Sequence, residues 1–318
     1  MSGIAQRTLH TNGITMRIAE QGEGPLVVLL HGFPESWYSW RHQLPALAAA
    51  GFHAVAPDQR GYGGTDKPEP IEAYNIVELT SDIVGLLDAL GERQAVVVGH
   101  DWGAPVAWHC GLLHPDRFRA VAALSVPYMG RGPVPPLQAM KAMFGDRFFY
   151  ILYFQEPGVA EAEFEADVRR SMRSFLYAAS GDAAGAATPA MMDKKKGARF
   201  FDGMPDTDRL PPWLTEADLD YFTKEFERSG FRGPLNWYRN FDRNWELTPQ
   251  LAGAKVTQPA LFIAGQQDAV LSFTSLDAMK PLVPEMREMV MIPGCGHWTQ
   301  QERPAEVNDA LVRFLKGL

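Results

Sequence analysis

Short, unbroken apolar runs recur along the chain, and most are followed by a glycine-bearing turn and then by a segment with apolar residues at helical spacing. Leu26-Val27-Val28-Leu29-Leu30 and Val96-Val97-Val98 are apolar at every position, as expected of strands covered on both faces of a parallel sheet. Further strands are predicted over His53–Ala56, Val121–Val126, Ala260–Gly265 and Glu288–Ile292. Ile76, Leu79, Ile83, Leu86, Leu87 and Leu90 repeat at the period of an amphipathic helix that closes at Gly91. Helices are also predicted over Trp40–Ala50, Ala104–Leu113 and Pro304–Leu315. Near the start, Asn12-Gly13 between Thr8-Leu9 and Ile14–Ala19 signals a hairpin. Strands alternating with helices predict an α/β protein with a mostly parallel, doubly wound sheet.

That rhythm stops near Tyr128. From Met129 to about Trp245 the chain carries helical segments rich in aromatics and Met, interrupted by prolines at 133, 135, 136, 157, 189, 205, 211, 212 and 234. The expected organisation is one α/β core built from residues 1–128 and 246–318, with residues 129–245 inserted as a helical cap. Open α/β sheets bind ligands at the carboxyl ends of their strands, so a cap entering after the sixth strand would roof the site. Met140, Met143, Phe144, Phe148, Phe149, Met191, Met192, Phe200 and Phe201 suggest an apolar pocket beneath it. Ala183–Ala190, with Lys194–Lys196 beyond, is expected to form a loop at the cap.

Composition narrows the class of partner. A chain of 318 residues with 46% hydrophobic residues can bury a large core, and a net charge of −8 argues against a nucleic-acid surface. Two cysteines, Cys110 and Cys295, give no disulfide framework, which suits a reducing, cytoplasmic setting. No run has the length of a signal peptide core or a membrane span. Metal-ligand arrays of His and Cys are missing, so neither a metal nor a cofactor is expected. A homodimer is left open.

The chemistry centres on Gly99-His100-Asp101-Trp102-Gly103, which follows a buried strand and opens a helix. A strand that turns sharply into a helix needs small residues on both sides of the turn and displays the residue between them. The same strand–turn–helix usually carries a Ser nucleophile in the α/β-hydrolase pattern; here the displayed residue is Asp101. Asp268 follows the predicted strand Ala260–Gly265, and His297 follows Glu288–Ile292. The chain order nucleophile, acid, histidine is that of the triads of this fold.

The sequence resembles the soluble epoxide hydrolases of that superfamily over nearly its whole length. The resemblance rests on His31-Gly32-Phe33-Pro34-Glu35-Ser36-Trp37, Asp58-Gln59-Arg60-Gly61-Tyr62-Gly63, the Asp101 turn and Gly294-Cys295-Gly296-His297-Trp298-Thr299-Gln300. It rests further on two cap segments, Tyr150–Gly158 and Gly233–Asn240. The phosphatase domain that precedes some animal members has no counterpart here. The resemblance implies a small, apolar epoxide as substrate and a vicinal diol as product. It makes Tyr150 and Tyr238 the proton donors, with Tyr153 as the alternative to Tyr150. The backbone N–H groups of Phe33 and Trp102 would form the oxyanion hole, and Phe33-Pro34 would be cis. The side chains of Phe33, Trp102, Tyr153, Trp237 and Trp298 are candidates for substrate contact, while His31 would hold the oxyanion loop and His100 would pack.

A carboxylate nucleophile suits an epoxide, because the ester it forms can be hydrolysed whereas the ether a serine would leave cannot readily be. A haloalkane dehalogenase would use the same Asp-Asp-His triad but lack the tyrosine pair. A fluoroacetate dehalogenase would carry arginines where Trp102 and Pro105 stand. A pure binding protein would have no need of nucleophile, acid, base and both tyrosines together. Gly61-x-Gly63-Gly64 lacks the Lys-Ser/Thr ending of a phosphate loop.

Overall fold

The computed structural model describes residues 3–183, 194–205 and 209–318. The loop expected at Ala183–Ala190, and with it Met191 and Met192, lies outside these residues apart from Ala183. Eight strands form one sheet: β1 (Ala5–Thr11), β2 (Ile14–Gln21), β3 (Leu26–Leu30), β4 (His53–Pro57), β5 (Ala95–His100), β6 (Phe118–Leu124), β7 (Ala260–Gly265) and β8 (Met286–Ile292). Their spatial order is β1-β2-β4-β3-β5-β6-β7-β8. β1 and β2 pair antiparallel with each other, β2 pairs antiparallel with β4, and all remaining pairs are parallel.

The local reasons are those of the sequence. Asn12 and Gly13 both take positive φ, 42° and 75°, which a tight hairpin between right-twisted strands requires. Every residue of β3, β5 and β7 is buried, because helices cover both sheet faces. Helix Ile76–Ala89 is started by Asn75, whose side chain accepts the N–H groups of Val77 and Glu78, and it buries Ile76, Leu79, Ile83, Leu86 and Leu87.

Two elements are displaced most from expectation. The helix predicted over Trp40–Ala50 begins at Gln43, since Trp37–Trp40 winds into a 3-10 turn with the Ser36 hydroxyl accepting from Tyr38 N–H. β6 starts at Phe118 and stops at Leu124, because Ser125 turns to φ 70° and leaves the strand.

Between β6 and β7 the described chain forms helices over Pro136–Phe144, Tyr150–Tyr153, Val159–Glu165, Val168–Ala178, Glu216–Ser229, Arg232–Tyr238 and Phe241–Leu247. They are docked by polar contacts to the strand-bearing part. Arg17 of β2 bridges Asp58 and Glu225, and Arg41 pairs with Asp218 at 3.1 Å. Tyr38 also stacks on Tyr221 with ring centroids 4.0 Å apart. Among the described residues no helix is long and apolar enough to cross a membrane.

Candidate active site

Asp101 stands immediately beyond β5 with φ 50°, a left-handed conformation that is uncommon for a residue with a side chain. The flanking glycines make it possible. A Cβ on Gly99 would strike the Gly103 carbonyl, and one on Gly103 would strike the Leu30 carbonyl. Gly32, in the loop after β3, leaves the space that the Asp101 carboxylate fills. The Phe33 N–H donates to Asp101 Oδ1 at 2.6 Å, and Phe33-Pro34 is a cis peptide.

His297 follows β8 and presents Nε2 3.4 Å from Asp101 Oδ2. Its Nδ1 lies 3.1 Å from each oxygen of Asp268, which is fully buried and also accepts the Val270 N–H at 2.9 Å. Nucleophile, base and acid expected from the sequence thus come together from the ends of three parallel strands. Burial alone would lower the His297 pKa, but the charge of Asp268 and hydrogen bonding to both carboxylates drive it well above its ordinary value. Burial likewise opposes the charge on Asp268, yet the His297 charge and hydrogen bonds hold that carboxyl below the usual range.

Tyr150 and Tyr238 are both buried and come from the inserted helices. Tyr150 opens helix Tyr150–Tyr153 and Tyr238 ends helix Arg232–Tyr238. The second helix seats closely because Gly233 meets the backbone of Gly61, where a Cβ would collide with a carbonyl oxygen. Arg239, the next residue, pairs with Glu161 at 2.7 Å. Burial first, and the Asp101 charge second, raise both phenols above their ordinary pKa, while hydrogen bonding from Trp102 partly offsets the rise at Tyr238.

A cavity opens among these groups. Its lining combines the polar groups of Asp101, Tyr150, Tyr238, Asp268 and His297 with the apolar Phe33, Phe175, Ala179, Ala269 and Val270. Of the side chains expected in substrate contact, Phe33 lines it, and four others are held elsewhere. Trp298 is fully buried with its indole N–H on the Leu176 carbonyl at 2.7 Å, and Trp237 is fully buried with its N–H on the Arg60 carbonyl at 3.0 Å. The Tyr153 hydroxyl donates to Glu163 at 2.6 Å. Trp102 packs edge-on to Tyr238, centroids 5.2 Å apart, and so stands behind that phenol. A buried N–H or O–H must find an acceptor, and in each of the first three the acceptor lies within the fold.

The sequence pattern assigns no role to Glu35 and expects His100 to pack. The structure joins them. His100 Nδ1 is 2.7 Å from Glu35 Oε2, and His100 Nε2 is 2.7 Å from the His297 carbonyl oxygen. Because a carbonyl only accepts, His100 Nε2 carries a proton. Glu35 also takes the Gly32 N–H at 2.9 Å and the side-chain amides of Gln300 and Gln301 at 3.1 and 3.0 Å. Burial opposes its charge, but His100, the Gly32 N–H and the Ser39 hydroxyl bring its pKa down to about 2. The pair therefore braces the loop after β3 against the loop that carries His297. An acidic residue inside an otherwise apolar stretch was the available signal, since a fully buried carboxylate requires partners. His31 holds the same loop, with Nδ1 2.9 Å from the Gly32 carbonyl and Nε2 accepting from Gln59 N–H at 3.1 Å. Among the described residues no group of His, Cys, Asp or Glu is arranged to hold a metal ion.

The fold and this constellation are those of an α/β hydrolase. Residues 25–304 match the α/β-hydrolase-fold family, and the chain belongs to it. Within the family its relatives are epoxide hydrolases. The chain is 52% identical to epoxide hydrolase A of Mycobacterium tuberculosis (strain ATCC 25618 / H37Rv) over 100% of its own length and 99% of that protein. It is 43% identical to bifunctional epoxide hydrolase 2 of Rattus norvegicus across 96% of this chain, which spans 54% of the rat protein. The crystal structure of epoxide hydrolase A from Mycobacterium thermoresistibile superposes with a TM-score of 0.94 at 52% identity, covering 99% of each chain. An epoxide hydrolase from an endophytic Streptomyces superposes with a TM-score of 0.96 at 48% identity, covering 100% of this chain and 96% of the other.

Proposed function

We propose that this protein hydrolyses epoxides to vicinal diols through a covalent ester on Asp101. The observation that carries the reading is that two protonated phenols, Tyr150 and Tyr238, line the same cavity as the Asp101 carboxylate. Oδ1 of that carboxylate is engaged by the Phe33 N–H, which leaves Oδ2 to attack. Attack forms an Oδ2–carbon bond and breaks the carbon–oxygen bond of the ring. The ring oxygen, becoming an alkoxide, takes a proton from one of the tyrosines.

Ester formation removes the Asp101 charge, one of the groups that keeps His297 protonated. Its pKa falls, its proton passes to the phenolate left by ring opening, and the neutral Nε2 can then accept a proton from water. The hydroxide adds to Cγ, and the developing oxyanion on Oδ1 stays on the Phe33 N–H, with the Trp102 N–H as its proposed second donor. Collapse breaks the Cγ–Oδ2 bond, the leaving alkoxide takes up the proton of the new carboxyl group, and the diol departs with the carboxylate restored. Residues 129–245 act as the cap that brings the tyrosines to the substrate. The apolar lining of Phe33, Phe175, Ala179, Ala269 and Val270 suits an apolar epoxide.

The test is a single turnover with enzyme in excess over an aryl epoxide in ¹⁸O-labelled water. The expected result is diol with unlabelled oxygen and label in the peptide containing Asp101. Labelled diol with unlabelled protein would remove Asp101 as nucleophile.

A further inference from the structure

Glu302 ends a short helix, Thr299–Glu302, a few residues beyond His297. Its buried carboxylate takes three backbone N–H groups. Oε2 accepts from Gly296 and from Gly181, each at 2.9 Å, and Oε1 accepts from Trp298 at 3.0 Å. Gly296 and Trp298 flank His297 on either side. Gly181 belongs to a different part of the chain, the segment that follows helix Val168–Ala178 and the cavity-lining residues Phe175 and Ala179. The His297 N–H itself donates to the Ala179 carbonyl at 2.8 Å.

The glycines show how closely these segments are pressed together. A Cβ on Gly296 would run into the backbone of Ala179, Ser180 and Gly181, and one on Gly181 would meet the Gly294 carbonyl. At the end of β7, a Cβ on Gly265 would strike the carbonyls of Cys295 and Gly296. Strand end, histidine loop and cavity wall are therefore stacked backbone on backbone, and Glu302 closes the stack from the side.

We propose that Glu302 is a positioning residue that fastens the main chain on both sides of His297 to the cavity wall at 179–181. The imidazole and the wall that holds the substrate then keep one geometry while water is activated. A single carboxylate shared between two segments is suited to this, since neither segment can shift without leaving a buried N–H unpaired. This inference rests on the two-step reading above. Ring opening uses Asp101 and the tyrosines, none of which Glu302 contacts through these bonds, whereas ester hydrolysis uses His297. Losing Glu302 should therefore fall on the second step.

The experiment compares wild type, Glu302→Gln and Glu302→Ala in single turnovers, with the Asp101 peptide quantified by quenched-flow mass spectrometry. Ester formation is expected to change by less than about threefold. Ester decay should slow by about tenfold or more, as misplacement of a base by a fraction of an ångström implies. The apparent pKa of decay should shift, and amide exchange at Gly181, Gly296 and Trp298 should quicken. Glu302→Gln keeps the shape and one acceptor oxygen, and carries the test if the Ala variant does not fold. Unchanged ester decay and pH profile, with only a lower melting temperature, would overturn the proposal. Should His297→Gln trap no ester, the two-step reading fails instead, and unchanged amide exchange in Glu302→Gln would then reject the clamp on its own.

Discussion

Tyr150 and Tyr238 meet edge to face, ring centroids 6.0 Å apart and planes at 77°, although they enter from two separate inserted helices. Both are buried near Asp101, so neither ionises at neutral pH and each can give a proton to an opening ring. Each can also cover for the other. Tyr150→Phe and Tyr238→Phe should each slow ring opening by about 10-fold. The double variant should slow it by about 10²–10⁴, the range of general acid catalysis. Stopped-flow tryptophan fluorescence reads the step directly, and full activity in the double variant would remove the tyrosines from the mechanism.

His297→Gln should separate the two half-reactions. In the proposed mechanism ring opening needs the Asp101 carboxylate, whose Oδ1 is held by Phe33 N–H independently of the imidazole. Hydrolysis needs a base at Nε2, 3.4 Å from Oδ2. The variant should therefore form the ester once and stall, adding the mass of one substrate to the Asp101 peptide. Asp101→Ala should add none.

The raised pKa of His297 has a consequence for stability. A group bound more tightly to its proton in the folded state contributes stability that is fully present below its unfolded pKa, about 6.5 for His. That contribution is lost as pH rises through the higher folded value. The melting-temperature gap between wild type and His297→Gln should thus be widest below about pH 6.5 and narrow steadily above it. Differential scanning fluorimetry across pH checks this, and a gap that widens with pH would contradict it.

What could be read from the sequence follows from range. The apolar runs of β3, β5 and β7 and the glycines around Asp101 state their purpose within a few residues, because strand burial and a tight turn are local demands. Asp268 and His297 were found by their position just past such runs. The brace from Glu35 through His100 to the His297 carbonyl, and the clamp at Glu302, join distant segments by polar contacts that no periodicity records. The 3-10 turn at Trp37–Trp40 is capped by the Ser36 hydroxyl, again a single hydrogen bond rather than a pattern.

The tryptophans show the opposite error, an aromatic near the site taken for one in it. Trp237 belongs to the same short helix as Tyr238, but its ring points away from the cavity, edge-on to Tyr62 at 5.6 Å and Trp102 at 5.8 Å, with its N–H on Arg60. Phenylalanine there would remove the donor, leave the Arg60 carbonyl unpaired in a dry interior and open a small void. The expected loss of stability is about 1–3 kcal/mol for the unpaired group, with some addition from the void. The ring does not line the cavity, so KM for a small apolar epoxide should stay within about twofold, as for a residue that contributes no uniform binding energy. Any fall in kcat should come through Tyr238 and therefore appear in ring opening. Thermal melts together with steady-state kinetics of Trp237→Phe decide the matter. A raised KM at unchanged melting temperature would return Trp237 to the substrate wall.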